Sequence, residues 1–422
     1  MRILLIHQYF LEKGEGGGSR FNEMSKIWSD EGHNVTVLAG MVHYNTGKKS
    51  KRYYGKFIYK DLQFYNNVDV IRCHVSESYN LSFIGRLWAY FSFVFFSIYA
   101  GLFKTEGKFD IILVTSPPLF VGITGYFLSL LKKIPYVFEI RDLWPESAID
   151  TGILKNKLII KFAFWFEKFI YKHAKLINVL TPAFRDKLIN IKNVSKEKVI
   201  LIPNAADFSL AEKIQKDSSF DAIKFKKELG LENKFVITYV GAHGVANHLI
   251  QLIDAAEKLV NTDIVFQLIG SGMRKEFLQD EVLKRNLKNV IFRNPVAKSE
   301  VFKYILASDV GTSVLKNVET FKTIYSNKTF DYMSCKKPIL LVIDGVSREL
   351  VETAKCGFFA KPENPISIAN KSKEIRAIEK TNLDKIGLNG YLFAKEHFDR
   401  VKLSKKYIKE INKVINVLRL KN

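Results

Sequence analysis

Residues 239–259 read YVGAHGVANHLIQLIDAAEKL: an apolar run ends at Val240, a loop of small residues follows, and an amphipathic segment takes over. Strand, glycine-bearing loop and helix in that order are the repeating unit of a doubly wound α/β sheet. Toward the carboxyl terminus the alternation continues, with strands expected at 264–269, 290–292, 310–312, 339–342 and 357–359. Toward the amino terminus the same rhythm runs through 3–7, 34–39, 68–73, 111–115, 136–140, 176–180 and 199–202, with a first helix expected over 19–31. Each run is short and rich in Val, Ile, Leu and Phe, as parallel strands covered on both faces must be.

The chain of 422 residues is longer than one hydrophobic core usually serves. The turn-rich stretch PNAAD at 203–207 is the expected boundary, giving Rossmann-like domains over 1–205 and 206–398 and a last helix over 399–422 that crosses back to the first domain. Hydrophobic residues make up 47% of the chain, so both halves can fill a core, and no low-complexity block or repeat interrupts them. The net charge of +22 creates a field that attracts phosphates or anionic lipid. The lysines are spread out and no nucleic-acid-binding signature accompanies them, so no nucleic acid is expected as a partner. Cys73, Cys335 and Cys356 stand far apart without a CxxC or Cys/His cluster, which speaks against a disulfide framework and a metal site and for a reducing compartment. The first residues, MRILLIHQYF, read as a strand and not as a signal peptide.

Residues 87–103, LWAYFSFVFFSIYAGLF, are uncharged and bracketed by Arg86 and Lys104. The stretch is slightly short for a bilayer span. An in-plane helix with basic ends fits it, and so does a buried or dimer-forming helix. The apolar stretch 111–131 is divided by Pro117 and Pro118 into a strand and a helix.

Four further stretches carry chemistry. GEGGGSR, residues 14–20, follows the first strand and opens the first helix, where bare amides at the positive helix end suit an anion; a surface loop has the same composition. FEIRDLWPESAIDTG, residues 138–152, gathers Arg141, Asp142 and Glu146 beyond the carboxyl end of a strand, where ligands of open α/β sheets bind, although a salt-bridged strand end would read alike. In the second half, Gly241, His243, Gly244, Asn247 and His248 lie in the first loop, and Gly270, Ser271 and Gly272 follow the next strand. IYSNKTFDYMSCKKPIL, residues 324–340, places Ser326 or Asn327 as cap of a helix whose amides, dipole and Lys328 make a diphosphate site, with Asp331 nearly one turn on to hold a ribose.

RDLWPES, IPNAAD, YVGAHGVANHL, LIGSG and YSNKTFDYM, in this order, resemble the retaining glycosyltransferases of the GT-B fold, in particular family 4 members of bacterial O-antigen and capsule assembly and the branch that includes N-acetyl-fucosamine transferases. The likeness spans essentially the whole chain. It implies two facing Rossmann-like domains with a cleft between them, working at the cytoplasmic face of the inner membrane. It implies transfer, with retention, of an N-acetylated hexosamine or deoxyhexosamine from a UDP-sugar to an acceptor on a polyprenyl diphosphate, with no metal or other cofactor. By the same resemblance Lys328, the amides around Ser326 and Asn327 beside Tyr325, and Gly16, Gly17 and Gly18 would hold the diphosphate. Gly241 and His243 would lie beside it, Asp331 would hold the ribose, Gly270, Gly272 and Asn294 to Val296 would border the base, and Asp142 with Arg141 and Glu146 would lie near the reacting hydroxyl.

The chain also departs from that pattern. The family's glutamate pair eight positions apart becomes Thr323 and Asp331, with Glu319 as a substitute for the first; Ala242 and Asn247 stand where Arg and Lys are frequent, and His248 where glycine is. These losses leave the donor open and shift phosphate binding onto Lys328. They also motivate a rival reading, an inactive scaffold of an assembly complex; a second rival, a GT-B sugar-nucleotide 2-epimerase, shares the architecture but needs no lipid acceptor, and the aromatic segment 87–103 speaks against it.

Overall fold

The computed structural model describes residues 1–422 except 14, 16–19, 44–46, 81 and 420–422. The apolar runs of the first half form β1 (Arg2–Ile6), β2 (Asn34–Gly40), β3 (Ile58–Tyr65), β4 (Val68–Cys73), β5 (Ile111–Ser116), β6 (Tyr136–Ile140), β7 (Leu176–Val179) and β8 (Val199–Leu201). They make one eight-stranded sheet of order β3-β4-β2-β1-β5-β6-β7-β8, parallel except where β3 runs antiparallel to β4. Every residue of β5, β6 and β7 is buried. The edge strand β3 is the element that the sequence reading lacked. Most of its residues are partly or fully exposed, so its hydrophobic signal is diluted by Lys60, Asp61 and Gln63.

The helices of this unit are α1 (Arg20–Asp30), α2 (Phe83–Phe103), α3 (Val121–Lys132), α4 (Glu146–Asp150), α5 (Lys157–His173) and α6 (Pro182–Asn190). Local chemistry starts the last two: the Asn156 side chain accepts from the Leu158 and Ile159 amides, and Thr181 caps α6 with Pro182 at its first position. Helix α2 buries Ala89, Phe93, Val94 and Ala100 and joins α3 through a Ser97 Oγ–Thr124 Oγ1 bond of 2.8 Å. Its other face leaves Ile84, Trp88, Phe95 and Phe103 each more than 60% exposed. Among the described residues α2 is the one helix long and apolar enough to cross a membrane, with mean hydropathy 1.3.

At the centre of the unit Arg20 is a buried cation. Its guanidinium grips Glu139 at 3.0 and 3.2 Å and donates to the Ile202 carbonyl at 2.8 Å, while Asn178 Nδ2 donates to the same carboxylate at 2.8 Å. The pair ties the start of α1 to β6, β7 and the end of β8 with every strong donor answered.

In the second half β9 (Phe235–Val240), β10 (Ile264–Ile269), β11 (Val290–Arg293), β12 (Val310–Val314), β13 (Ile339–Val342) and β14 (Gly357–Phe359) form a six-stranded parallel sheet of order β11-β10-β9-β12-β13-β14. Alternation along β13 feeds two cores. Ile339 and Leu341 pack with Phe302 and Phe330, whereas Leu340 and Val342 pack with Leu252 and Ile368.

Residues 204–400 form this second compact unit, and the first takes residues 1–13, 20–203 and 401–419. The last helix, Arg400–Arg419, therefore folds with α1: the Trp28 indole donates to the Ser404 carbonyl at 3.2 Å and lies edge-on to Tyr407 at 6.0 Å, both rings being fully buried. Replacing Tyr407 by alanine leaves a ring-sized cavity there. Tyr407→Ala is expected to cost the first unit about 3–5 kcal/mol, read as an earlier urea midpoint for that unit's transition while the second unit's transition stays in place.

Candidate functional site

The carboxyl ends of β9 and β10 bring His243, Lys275 and Lys328 close together. Gly241 leaves β9 with φ of +140°, and a Cβ there would sit 2.5 Å from Lys328 Cε. Gly270 leaves β10 with φ of +149°, and a Cβ there would fall 1.9 Å from the Gly241 carbonyl oxygen. Only glycine lets these two loops lie backbone against backbone. Contact is sealed by three amides: Gly241 donates to Ile269 at 2.9 Å, His243 to Ser271 at 2.8 Å and Arg274 to His243 at 2.9 Å.

Two side chains are trapped by this arrangement. The His243 imidazole is fully buried and, among the described residues, neither ring nitrogen has a hydrogen-bond partner. Burial, then the charges of Lys275 and Lys328, push its pKa down to about 4, so the ring is neutral at physiological pH. Lys328 lies with its ammonium 4.9 Å from the centre of the Tyr239 ring. Burial pushes its pKa down to about 8 against the opposing pull of Asp331.

Lys328 belongs to the helix Asn327–Ser334. Ser326 occupies the cap position, but its hydroxyl makes no capping bond; it turns to Ser313 at 3.4 Å, and Ser313 in turn meets Thr329 at 3.1 Å. The side-chain cap anticipated at Ser326 is thus absent, because the hydroxyl is drawn into a buried Ser–Thr chain. First-turn amides of a helix have no intrahelical acceptor, so this helix end presents donors, the dipole and Lys328 together. Asp331 follows on the same helix, close enough to act on Lys328.

Beside this lies a cavity of about 470 Å³ lined by Ser271, Gly272, Met273, Lys275, Asn294 and Pro295 among others. Lys275 braces it by donating to the carbonyls of Gly270 at 3.0 Å and Arg293 at 3.1 Å and to Asn294 Oδ1 at 3.1 Å. Gly272 and Asn294 therefore border a cavity, whereas Val296 and Tyr325 pack onto the hydrophobic core, Tyr325 edge-on to Phe330 and Phe398. Lys275 escaped the sequence reading because its three acceptors come from two different strand ends.

In the first unit Arg141, Asp142 and Glu146 follow β6, and their environments differ. Burial, abetted by Glu146 and opposed by a hydrogen bond from Ser147, pushes Asp142 up to about 6. Glu146 points into a different group. Burial would raise it, but Lys192 at 2.8 Å and Lys187 at 3.2 Å outweigh that and hold it below the usual carboxylate range. Near Arg141 stands His7, directly after β1, buried, with both ring nitrogens unpartnered among the described residues, and held well below its ordinary pKa by burial, then by Arg141 and Arg72. From sequence, His7 is only the last residue of the expected strand 3–7, because nothing local signals the cations around it. Gly17 and Gly18 lie outside the described residues. Among the described residues no group of three His, Cys, Asp or Glu is placed to hold a metal ion.

Residues 15–205 match the family model described as Glycosyl transferase 4-like domain, and residues 221–391 match Glycosyl transferases group 1. The chain is a glycosyltransferase of the group 1, 4-like type. The transferase is 25% identical over 295 residues to WcaI of Escherichia coli K12, whose name assigns it to colanic acid biosynthesis; the match covers 69% of this chain and 71% of WcaI. It is 22% identical over 279 residues to the glycosyltransferase WbjE of Pseudomonas aeruginosa, covering 65% and 68% of the two chains. Among solved structures it is similar to Anabaena HepE in complex with UDP, with a TM-score of 0.70, 18% identity and coverage of 98% of this chain and 100% of HepE. Sucrose-phosphate synthase of Thermosynechococcus elongatus gives a TM-score of 0.72 at 14% identity over 99% of both chains. With these neighbours the two parallel sheets of the transferase are those of the GT-B fold.

The contact between the two glycine loops makes a specific demand on Gly270. Gly270→Ala adds left-handed backbone strain of about 1–3 kcal/mol to overpacking of about 1–3 kcal/mol. Calorimetric unfolding of the second unit is expected to show both as a lowered Tm; an unchanged Tm would mean that the loops are not in contact.

Proposed function

We propose that this transferase moves a sugar from a UDP-sugar, with retention, to a lipid-linked glycan acceptor in the synthesis of an envelope polysaccharide such as O-antigen or capsule. The observation that carries the donor half is Lys328, lodged under the Gly241 loop at the amino end of the helix Asn327–Ser334. A diphosphate there meets helix amides, the helix dipole and an ammonium whose lost hydration it replaces. Asp331 takes the ribose hydroxyls, and the cavity at Gly272 and Asn294 takes the base. Solved structures of HepE with UDP and with UDP-glucose support this class of donor. The sequence resemblance narrows the sugar to an N-acetylated hexosamine or deoxyhexosamine.

The chemistry asks little of covalent catalysis. As the glycosidic bond to UDP lengthens, charge gathers on the diphosphate, and Lys328 with the helix amides stabilises it where it develops. His243, neutral beside Lys328, adds no competing positive charge and keeps a ring nitrogen available to accept or donate. Asp142, with its pKa near 6, is assigned to the acceptor hydroxyl; it is mostly ionised at pH 7 and able to accept that hydrogen bond. Polysaccharide assembly is supported by the name of WcaI, and a polyprenyl-diphosphate carrier by the resemblance. No cofactor is proposed beyond the donor itself.

UDP should protect the purified protein selectively among UDP, GDP, ADP, CMP and dTDP, by about 2.7 kcal/mol at 100 times its Kd. Lys328→Ala is expected to lower transfer at least tenfold, about 1.4 kcal/mol; full activity in that variant would remove the diphosphate assignment. The pH dependence has a definite sign. The ammonium is present below about 8 and is lost above it, so UDP affinity falls as pH rises from 7 to 9, and Lys328→Arg flattens the profile.

The working place we propose is the cytoplasmic face of the inner membrane, with the exposed stripe Ile84, Trp88, Phe95 and Phe103 of α2 lying in the interface. Sedimentation with anionic vesicles should show binding that high salt weakens only in part, since apolar insertion is not screened. Complete release by salt, or unchanged binding after Trp88→Glu with Phe95→Glu, would sink this placement.

A further inference from the structure

A second cavity, of about 660 Å³, opens in the first unit between α5 and the chain that follows α6. Phe164 and Tyr171 of α5, with Ile191 and Val194 opposite, supply apolar wall. Glu146 and Glu167 also line it, but both are already answered: Lys192 bridges them at 2.8 and 2.5 Å, and Lys187 adds a contact to Glu146 at 3.2 Å. The remaining cations are not so balanced. Among the described residues Lys168 and Lys172, both exposed on α5, line the cavity with no ion pair, and Lys198 beside them donates to the backbone carbonyls of Lys172 at 2.9 Å and Tyr171 at 3.3 Å. A lining that is mostly apolar, with an excess of unneutralised ammonium groups, fits neither a neutral hydrocarbon nor a free inorganic anion.

The surroundings extend the pattern. On the outer side of α5 Leu158 is 78% exposed, Phe162 53% and Trp165 59%. Within α5 the one acidic residue is the buried Glu167, while Lys157, Lys161, Lys168 and Lys172 punctuate the exposed faces. Apolar wall thus passes from the cavity through the partly exposed Phe164 onto an aromatic surface flanked by lysines. Such a surface presents continuous cover for a hydrocarbon chain whose charged end stays at the cavity.

We propose that this cavity binds a single anionic amphiphile: its phosphate or diphosphate lies on Lys168, Lys172 and Lys198, and the first part of its hydrocarbon chain lies against Phe164, Ile191 and Val194. This deepens the reading of a lipid-linked acceptor by giving the lipid a seat of its own on the first unit. The same chemistry could come from the prenyl phosphate of the carrier or from a phospholipid of the bilayer. Neither source requires the donor site to work.

The test uses the full chain and three soluble probes, farnesyl phosphate, farnesol and inorganic phosphate, titrated calorimetrically. Farnesyl phosphate should bind at least tenfold more tightly than either of the others. Lys168→Glu with Lys172→Glu, both surface changes, should weaken it at least tenfold, and Val194→Trp, which fills the cavity, should abolish it. Thermal protection by UDP is measured on the same samples. Its retention in both variants shows that the fold is intact, and its absence in the unaltered protein would count against the donor reading while leaving the cavity result standing. Phosphatidylcholine vesicles doped with undecaprenyl phosphate or with phosphatidylglycerol then separate the sources: recruitment that Val194→Trp abolishes with the first marks the carrier lipid, and with the second a phospholipid. Farnesyl phosphate binding that is absent, or equal in all variants, overturns the proposal.

Discussion

Close approach of two loop backbones, at Gly241 and Gly270, is the constraint on which the second unit's chemistry rests. Side chains at these positions would push β9 and β10 apart at their carboxyl ends, and with them Lys328, whose stem passes where a Gly241 Cβ would lie. Tight closure has a cost: it strips water from an ammonium and from an imidazole that finds no partner. For the diphosphate we propose there, a cation already stripped of water means little reorganisation on binding, because the unfavourable part of the electrostatics has been met during folding.

Both units repeat one motif in a way that composition does not reveal. Directly after β1 stands His7, and shortly after β9 stands His243; each is buried, each lacks a hydrogen-bond partner among the described residues, and each is kept unprotonated by burial and then by nearby cations. Protonating either ring would place a second positive charge beside an existing one in a poorly solvated spot. Both imidazoles are therefore held neutral and are not proton reservoirs. Asp142, near 6, and Lys328, near 8, are the groups of these strand-end clusters whose pKa values lie close to physiological pH.

How much of this was legible in the letters follows from the range of the interactions. Parallel strands announced themselves because both faces are buried and most of their residues are apolar, whereas β3, with one side in water, was silent. Gly241, Gly270, Lys328 and Asp331 could be picked out because a strand-loop-helix order fixes where small residues and cations fall. The lettering could not say that Ser326 would turn inward to Ser313, that Tyr325 and Val296 would serve the core, or that Glu146 would be claimed by Lys192. Each of those outcomes depends on a partner brought in from elsewhere in the fold. Arg20 illustrates this most clearly: in sequence it closes a glycine-rich loop, and in the fold it is the buried counter-ion of Glu139, 119 positions away.

The contact between Trp28 and Ser404 joins residues 376 positions apart, with the whole second unit encoded between them. During synthesis, α1 and the sheet beneath it must therefore wait, one apolar face uncovered, while residues 204–400 are made and folded. At roughly 5–20 residues per second that interval is on the order of 10–40 s. A nascent first unit with aromatic surface on α2 and α5 spends this time short of its final covering helix, so chaperone binding has its opportunity before the chain is released.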